Sequence, residues 1–287
     1  MRHVKKTWNE CVEEPAVRTI AISLSRLMIF FLFLGLGLPA AARPGPDEAL
    51  KMLKEGNERF ASGKMLFPNS GAARRALAIS EGQGKHAIAT VVSCSDSRVP
   101  PEILFDTGLM DLFVIRLAGN VCGANTTGSV EYGLCHVNTP LLVVLGHSHC
   151  GAVTAVSEAT KGHGHALERN IPPLVAPIGP AVKRAIDQMP TAEVKDLVPV
   201  AIEENVWQGI EDLFLRSAAI REMVIQGRVK VVGAMYDLPS GKVTWLPEPP
   251  VEKLLLKAED NPDRAKEIMA GDSHAPEGGQ APAGEHH

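Results

Sequence analysis

The chain has 287 residues, 45% of them hydrophobic and 22% charged, with a net charge of −4 at neutral pH. That hydrophobic content supplies one large core or two small ones. The charge pattern offers neither a basic patch of the kind that binds nucleic acid nor an acidic block that would act as a solvating tail.

The first distinctive segment is the apolar run LMIFFLFLGLGL, Leu27 to Leu38, preceded by Arg18 and Arg26 and followed by Pro39 and Ala40, Ala41 and Ala42. A positive flank, a short apolar core and a small-residue exit predict a secretory signal peptide over residues 1–42. The run is shorter than the roughly 20 apolar residues of a membrane span. The expectation is an exported, periplasmic protein with no stable membrane span after processing; an uncleaved anchor is the competing reading. Cleavage near Ala42 removes Cys11 and leaves Cys94, Cys122, Cys135 and Cys150.

Residues 43–46, RPGP, read as a linker, residues 47–250 as a single domain, and residues 251–287 as a charged tail that turns Gly/Pro-rich and disordered from about Asp272. Within the domain, DEALKMLKEGNERFASG has a loose helical period after an Asp47 cap. GAARRALAISEGQG predicts a second short helix ending at Gly82 or Gly84. HAIATVVSC, DLFVIRLAG and TPLLVVLG are near-continuous apolar runs, the pattern of strands buried on both faces. TTGSVEYGLCHV reads as a helix, and HSHCGAVTAVSEATKG runs from the third strand into another. IGPAVKRAIDQM and AIEENVWQGIEDLFLRSAAIREMVIQG look helical. VKVVGAMYDLPSGKVTWL is a strand, a Pro-Ser-Gly turn and a shorter returning strand. Buried strands alternating with helices predict an α/β fold: a parallel-core sheet flanked by helices, with a short antiparallel edge strand.

Ligands in such sheets bind beyond the carboxyl ends of the strands. Cys94 ends one strand, and His147 and Cys150 follow another. A thiolate, an imidazole and a second thiolate form a borderline-soft donor set suited to tetrahedral zinc, with a fourth position left open as in catalytic sites. Spacing alone admits His149 in place of His147. Gly146 and Gly151 are expected to relieve the backbone at this turn. The competing reading, in which Cys94 and Cys150 are buried hydrophobes or a disulfide, leaves His147, Asp96 and Arg98 without a reason. Cys122 and Cys135 have no partner at metal spacing and read as buried thiols.

CSDSRVPPE (94–102) and GHSHCGA (146–152) resemble the paired zinc motifs of the β-class carbonic anhydrases, and the resemblance extends through DLFVIRLAGN and SVEYGL, from about Asp47 to Leu246. It implies zinc on Cys94, His147 and Cys150, with an Asp96–Arg98 dyad beside it. It implies reversible hydration of carbon dioxide to bicarbonate and a proton, the carboxylate orienting a zinc hydroxide. It also implies a carbon dioxide pocket that includes Phe113, Tyr132, Gly151 and a glutamine matched by Gln83 and contributed by a partner subunit. A homodimer or a dimer of dimers is therefore expected. Ala118 stands where plant-type relatives usually carry valine. Relatives inhibited by bicarbonate carry a tryptophan three residues before the first zinc cysteine, where this chain has Val91; Arg116 matches an arginine of that inhibitory site. His163 and His165, in KGHGHALE, suit proton shuttling near neutral pH, although a solvated loop is the plainer reading. Two rival functions are hydrolysis of carbonyl sulfide or carbon disulfide on the same fold, and non-catalytic zinc binding, which predicts loss of the dyad.

Overall fold

The computed structural model describes residues 43–266. The segment read as a signal peptide and the tail beyond Lys266 lie outside the described residues. Five strands, β1 (Ala89–Cys94), β2 (Leu112–Leu117), β3 (Leu141–His147), β4 (Lys230–Tyr236) and β5 (Val243–Trp245), form one sheet in the order β2-β1-β3-β4-β5. The first four run parallel and β5 returns antiparallel to β4. Every residue of β1 and β3 is buried, which is why both read as near-continuous apolar runs. β2 lies at an edge of the sheet, and Arg116, its penultimate residue, reaches solvent.

Side chains along each strand alternate between two cores, as the two-residue period requires. Val92, Ile115, Leu142 and Val144 face α8 (Val194–Arg216) through Val206, Ile210 and Phe214. Ala89, Val91, Val143 and Leu145 face the opposite side, packed on Leu50 and Leu53 of α1 (Pro46–Ala61) and on Leu104 and Phe105 from α3 (Pro101–Leu104) and its cap. α2 (Ala72–Ser80) buries none of its residues. A third core lies around Cys94 and Cys150. There Val153 of α5 (Gly151–Thr160), Val175 of α6 (Ile171–Val175), Ile178, Val182 of α7 (Gly179–Gln188) and Leu197 of α8 pack together.

Several local expectations are corrected. Helix α1 is capped by Gly45 with Pro46 in its first turn, the usual place for a residue lacking an N–H. Asp47 instead accepts a 2.7 Å bond from Lys230 Nζ. The helix α4 (Ala124–Glu131) continues into a π-turn over Tyr132–His136. α8 starts seven residues before Ala201 and contains Pro199, whose lost bond is offset by the burial of Leu197, Val198, Ala201 and Ile202. Ser217 then separates α8 from α9 (Ala218–Ile225), accepting from the Ile220 amide as a helix cap does. The tail expected from Val251 opens within α10 (Pro249–Asp260), whose Val251 and Ala258 are buried against α8 and α9. Arg221, itself buried, pairs with Glu259 and donates to the Ala265 carbonyl at 3.0 Å. No helix among the described residues is long and apolar enough to cross a membrane.

Candidate metal centre

The strand order places a switch point at β1. The chain leaves β1 for β2 on one side and returns to β3 on the other, which opens a crevice between the carboxyl ends of β1 and β3. Cys94 is the last residue of β1, His147 the last of β3, and Cys150 caps α5. One ligand atom from each lies within 4.8 Å of the other two, and all three residues are buried. Cys94, Cys122 and Cys150 are reduced thiols, which removes the disulfide reading.

The histidine shows what the cluster is built to hold. Its Nδ1 lies 2.9 Å from the Ser148 carbonyl. A carbonyl only accepts, so Nδ1 carries the proton and Nε2 presents a lone pair. That Nε2 is buried and has no hydrogen-bond partner. An orphaned imidazole nitrogen facing two thiols, with its other nitrogen bonded to a carbonyl, fits a zinc ion with its orienting outer contact. Ser148 is itself fixed, its amide donating to the Tyr236 carbonyl and its hydroxyl accepting from Leu238 N, both at 2.9 Å.

The two thiols shift each other in opposite directions. A hydrogen bond from Cys150 holds the Cys94 thiol far below its ordinary value, against the effect of burial, with help from the Gly119 and Asp96 amides. Cys150 is pushed up by the same bond and by burial. The amides of Gly119 and Asp96 point at Cys94 Sγ from 3.3 and 3.4 Å.

Asp96 and Arg98 leave β1 on the short turn toward α3. The Asp96 carboxylate accepts from Arg98 Nε at 2.9 Å, Arg98 Nη2 at 2.6 Å and the Arg98 amide at 2.9 Å. These bonds hold it well below the usual carboxylate range despite partial burial. Arg98 also donates to the His149 carbonyl at 3.1 Å, which ties the dyad to the loop between two ligands. Arg116 braces the same turn from β2, with Nε 3.0 Å from the Cys94 carbonyl and Nη2 2.6 Å from that of Asp96.

His149 is exposed with φ 59°, so its backbone, not its ring, shapes the turn. Neither Gly146 nor Gly151 has a left-handed backbone, which corrects the reason expected for them. Gly146 is small because a Cβ there would come within 2.7 Å of Val206 and 2.8 Å of Met235, whereas Gly151 faces open space beside Cys150.

One chain does not bring the other pocket residues to this centre. Phe113 stacks loosely on Tyr132, ring centres 6.0 Å apart. It pairs in register with Thr90, whereas Cys94 pairs with Leu117. Four residues of strand put Phe113 roughly 13 Å from the level of the ligands. Tyr132 is half exposed, and Gln83 opens a separate single turn, Gln83–Lys85. Cys122 is fully buried as expected, whereas Cys135 is only part-buried, its sulfur 3.7 Å from that of Met223. His163 and His165 sit on an exposed loop after α5. The sequence reading missed Asn205 of α8, whose Nδ2 donates to the Gly119 carbonyl at 2.7 Å. A trace of it was visible: Asn205 falls on the helix stripe of Ala201, Ile202, Val206, Gly209 and Ile210, where a polar residue is out of place.

Fold and site together define an α/β protein with a thiolate-rich, three-ligand metal centre at its switch point. The sequence profile of the carbonic anhydrase family matches residues 89–243. Carbonic anhydrase 2 of Mycobacterium tuberculosis is 36% identical over 204 residues, which cover 69% of this chain and 91% of that protein. The carbonic anhydrase of Mycolicibacterium smegmatis is 37% identical over 202 residues, covering 69% and 92%. Among solved structures, the β-carbonic anhydrase CcaA matches with a TM-score of 0.53 at 28% identity over 68% of this chain and 94% of that one. The β-carbonic anhydrase CafA of Aspergillus fumigatus shares the fold, with a TM-score of 0.54 at 24% identity over 74% and 97%. The chain belongs to the carbonic anhydrase family and is an enzyme of its β class.

Proposed function

We propose that the protein interconverts carbon dioxide and bicarbonate on a zinc ion held by Cys94 Sγ, His147 Nε2 and Cys150 Sγ. The observation that carries the reading is the buried, unpartnered His147 Nε2 facing two thiols, with an ionised Asp96 held beside it. Bound there, zinc supplies the Lewis acidity that makes water a nucleophile near neutral pH, tempered by the charge of two thiolates. The protein's own groups do the rest. Asp96, kept anionic by Arg98, accepts a hydrogen bond from the attacking oxygen and aims its lone pair at the carbon. Arg98 fixes that carboxylate with two side-chain donors and its amide, leaving it little freedom to turn toward the ligands. The intact dyad argues against a non-catalytic zinc protein. Carbon dioxide hydration assayed with and without a chelator, alongside carbonyl sulfide turnover, tests the reading; chelator-insensitive hydration, or turnover of carbonyl sulfide alone, would overturn it.

A second copy of the chain completes the substrate pocket with Gln83, Phe113 and Tyr132, in a dimer or dimer of dimers. Two features support this: the roughly 13 Å separation of Phe113 from the ligands within one chain, and the exposure of Tyr132. Sedimentation at assay concentration tests it, and an active monomer would overturn it. The composition of the first 42 residues supports export to the periplasm. The mass of the mature N-terminus tests that, and an intact N-terminus in the membrane fraction would contradict it.

A further inference from the structure

We infer that Asn205 is a positioning residue for the metal ligand Cys94, acting through Gly119. The inference rests on the assignment of Cys94 as a ligand and extends it to a residue on α8 that touches neither sulfur nor substrate.

Gly119 is held from both sides. Its amide donates to Cys94 Sγ at 3.3 Å, and its carbonyl accepts from Asn205 Nδ2 at 2.7 Å. Asn205 is 2% exposed, so water does not replace the bond it makes. The same Nδ2 lies 3.4 Å from Asn120 Oδ1, a longer second contact.

The loop needs that hold. β2 ends at Leu117, and the chain then turns through two successive left-handed residues, Gly119 at φ 76° and Asn120 at φ 46°. Such a turn persists only where its surroundings determine it. Two walls do so. A Cβ at Gly119 would approach Ile178 Cδ1 to 2.7 Å and Ala152 Cβ to 3.1 Å, so the loop is closed against α5 and the segment before α7. On the other side α8 supplies the amide of Asn205. Gly209, one turn further along α8, admits the Asn120 carbonyl and the Cys122 sulfur close to the helix. The interior amide thus fixes the Gly119–Asn120 peptide, the neighbour across the Gly119 Cα of the one whose N–H points at the ligand sulfur.

A donor aimed at a ligand sulfur fixes its direction and withdraws electron density from the bond it makes to metal. Outer contacts of this kind are worth about 10- to 100-fold in metal affinity. Asn205→Ala is expected to weaken zinc binding by about that factor. It should also shift the thiolate-to-metal charge-transfer band of the cobalt-substituted protein. Leu213→Ala, which removes buried volume from the same helix two turns on, serves as a control for lost stability alone; it should lower the thermal midpoint and leave the band and the affinity unchanged.

The test is zinc competition against a chromophoric chelator, with cobalt spectra and thermal unfolding on the full chain. Native protein that binds no metal stoichiometrically would sink the ligand assignment itself. Native protein that binds metal, with Asn205→Ala matching it in affinity and band position, would sink the role of Asn205 alone. Equal shifts in Asn205→Ala and Leu213→Ala would do the same. Should Asn205→Ala not fold, Asn205→Ser is read in its place, because its hydroxyl is too short to reach the Gly119 carbonyl.

Discussion

Arg98 closes on the Asp96 carboxylate with both Nε and Nη2, at 2.9 and 2.6 Å, while its own amide meets the same carboxylate at 2.9 Å. The Arg98 side chain is 51% exposed and that of Asp96 18%. A pair this wet adds little to stability. Its value is directional: one carboxylate, held by three donors, stands beside three buried ligand atoms.

The first prediction follows from that division. Asp96→Asn should keep its zinc and its thermal midpoint but lose turnover by roughly a hundredfold, the scale of a misplaced reacting group. Metal analysis and stopped-flow hydration on one preparation decide it. Unchanged turnover would make Asp96 a structural residue of the turn.

Metal content should follow the ligand set. Cys94→Ser and Cys150→Ser should each lose most of the zinc and the activity together, because each removes one of only three protein donors. His149→Asn should keep both, since that ring is exposed and asparagine tolerates the left-handed backbone at φ 59°. Zinc lost from His149→Asn, and retained in His147→Ala, would reverse the choice between the two histidines.

How much of this was legible beforehand follows physical scale. β1 and β3 announce themselves because strands buried on both faces are apolar along most of their length. The ligands were legible because they sit at the ends of those strands, where local spacing and fold-level placement coincide. What escaped were features set by partners distant in sequence. Asn205 meets Gly119 across 86 residues. The start of α8 was hidden by Pro199, whose cost the core repays. α10 reads as a tail because its composition is charged, and only contacts with α8 and α9 reveal its buried side. The pocket aromatics were found by resemblance, yet one chain holds them roughly 13 Å from the ligands, a distance no motif encodes.

Acid stability should depend on Asp106. Its side chain is fully buried and accepts from Arg59 Nε at 2.6 Å and from the amides of Leu66 and Phe67. Burial alone would raise its pKa, but those donors outweigh it and hold the value below the ordinary one. A carboxyl depressed in the folded state stabilises the fold above its unfolded value of about 3.9 and loses that contribution as pH falls toward the folded value. Asp106→Asn, which tolerates the left-handed φ of 43° here, should cost about 1–3 kcal/mol at neutral pH. Its urea midpoint should change less than that of the native protein below about pH 4. Parallel denaturation curves for the two proteins across that range would refute the assignment.

Bicarbonate should not switch this enzyme off cooperatively. The inhibitory anion site of some relatives needs a tryptophan N–H at the position of Val91, and an arginine at the position of Arg116. Val91 is fully buried in the core facing α1 and has no donor to offer. Arg116 is already committed, with Nε on the Cys94 carbonyl and Nη2 on that of Asp96. An anion bound there would have to break contacts that brace the turn carrying the dyad, and would gain too few donors in exchange. Asp96 should therefore stay on Arg98 at neutral pH, with the fourth metal position left to solvent. Activity should rise smoothly with pH along one ionisation at the metal centre. Added bicarbonate should act as simple product inhibition with a Hill coefficient of about 1. Initial rates over a bicarbonate series at several pH values measure this directly. Steep, cooperative inhibition at neutral pH, or a metal-loaded structure with Asp96 on the ion, would show that the anion displaces the dyad despite the missing donor.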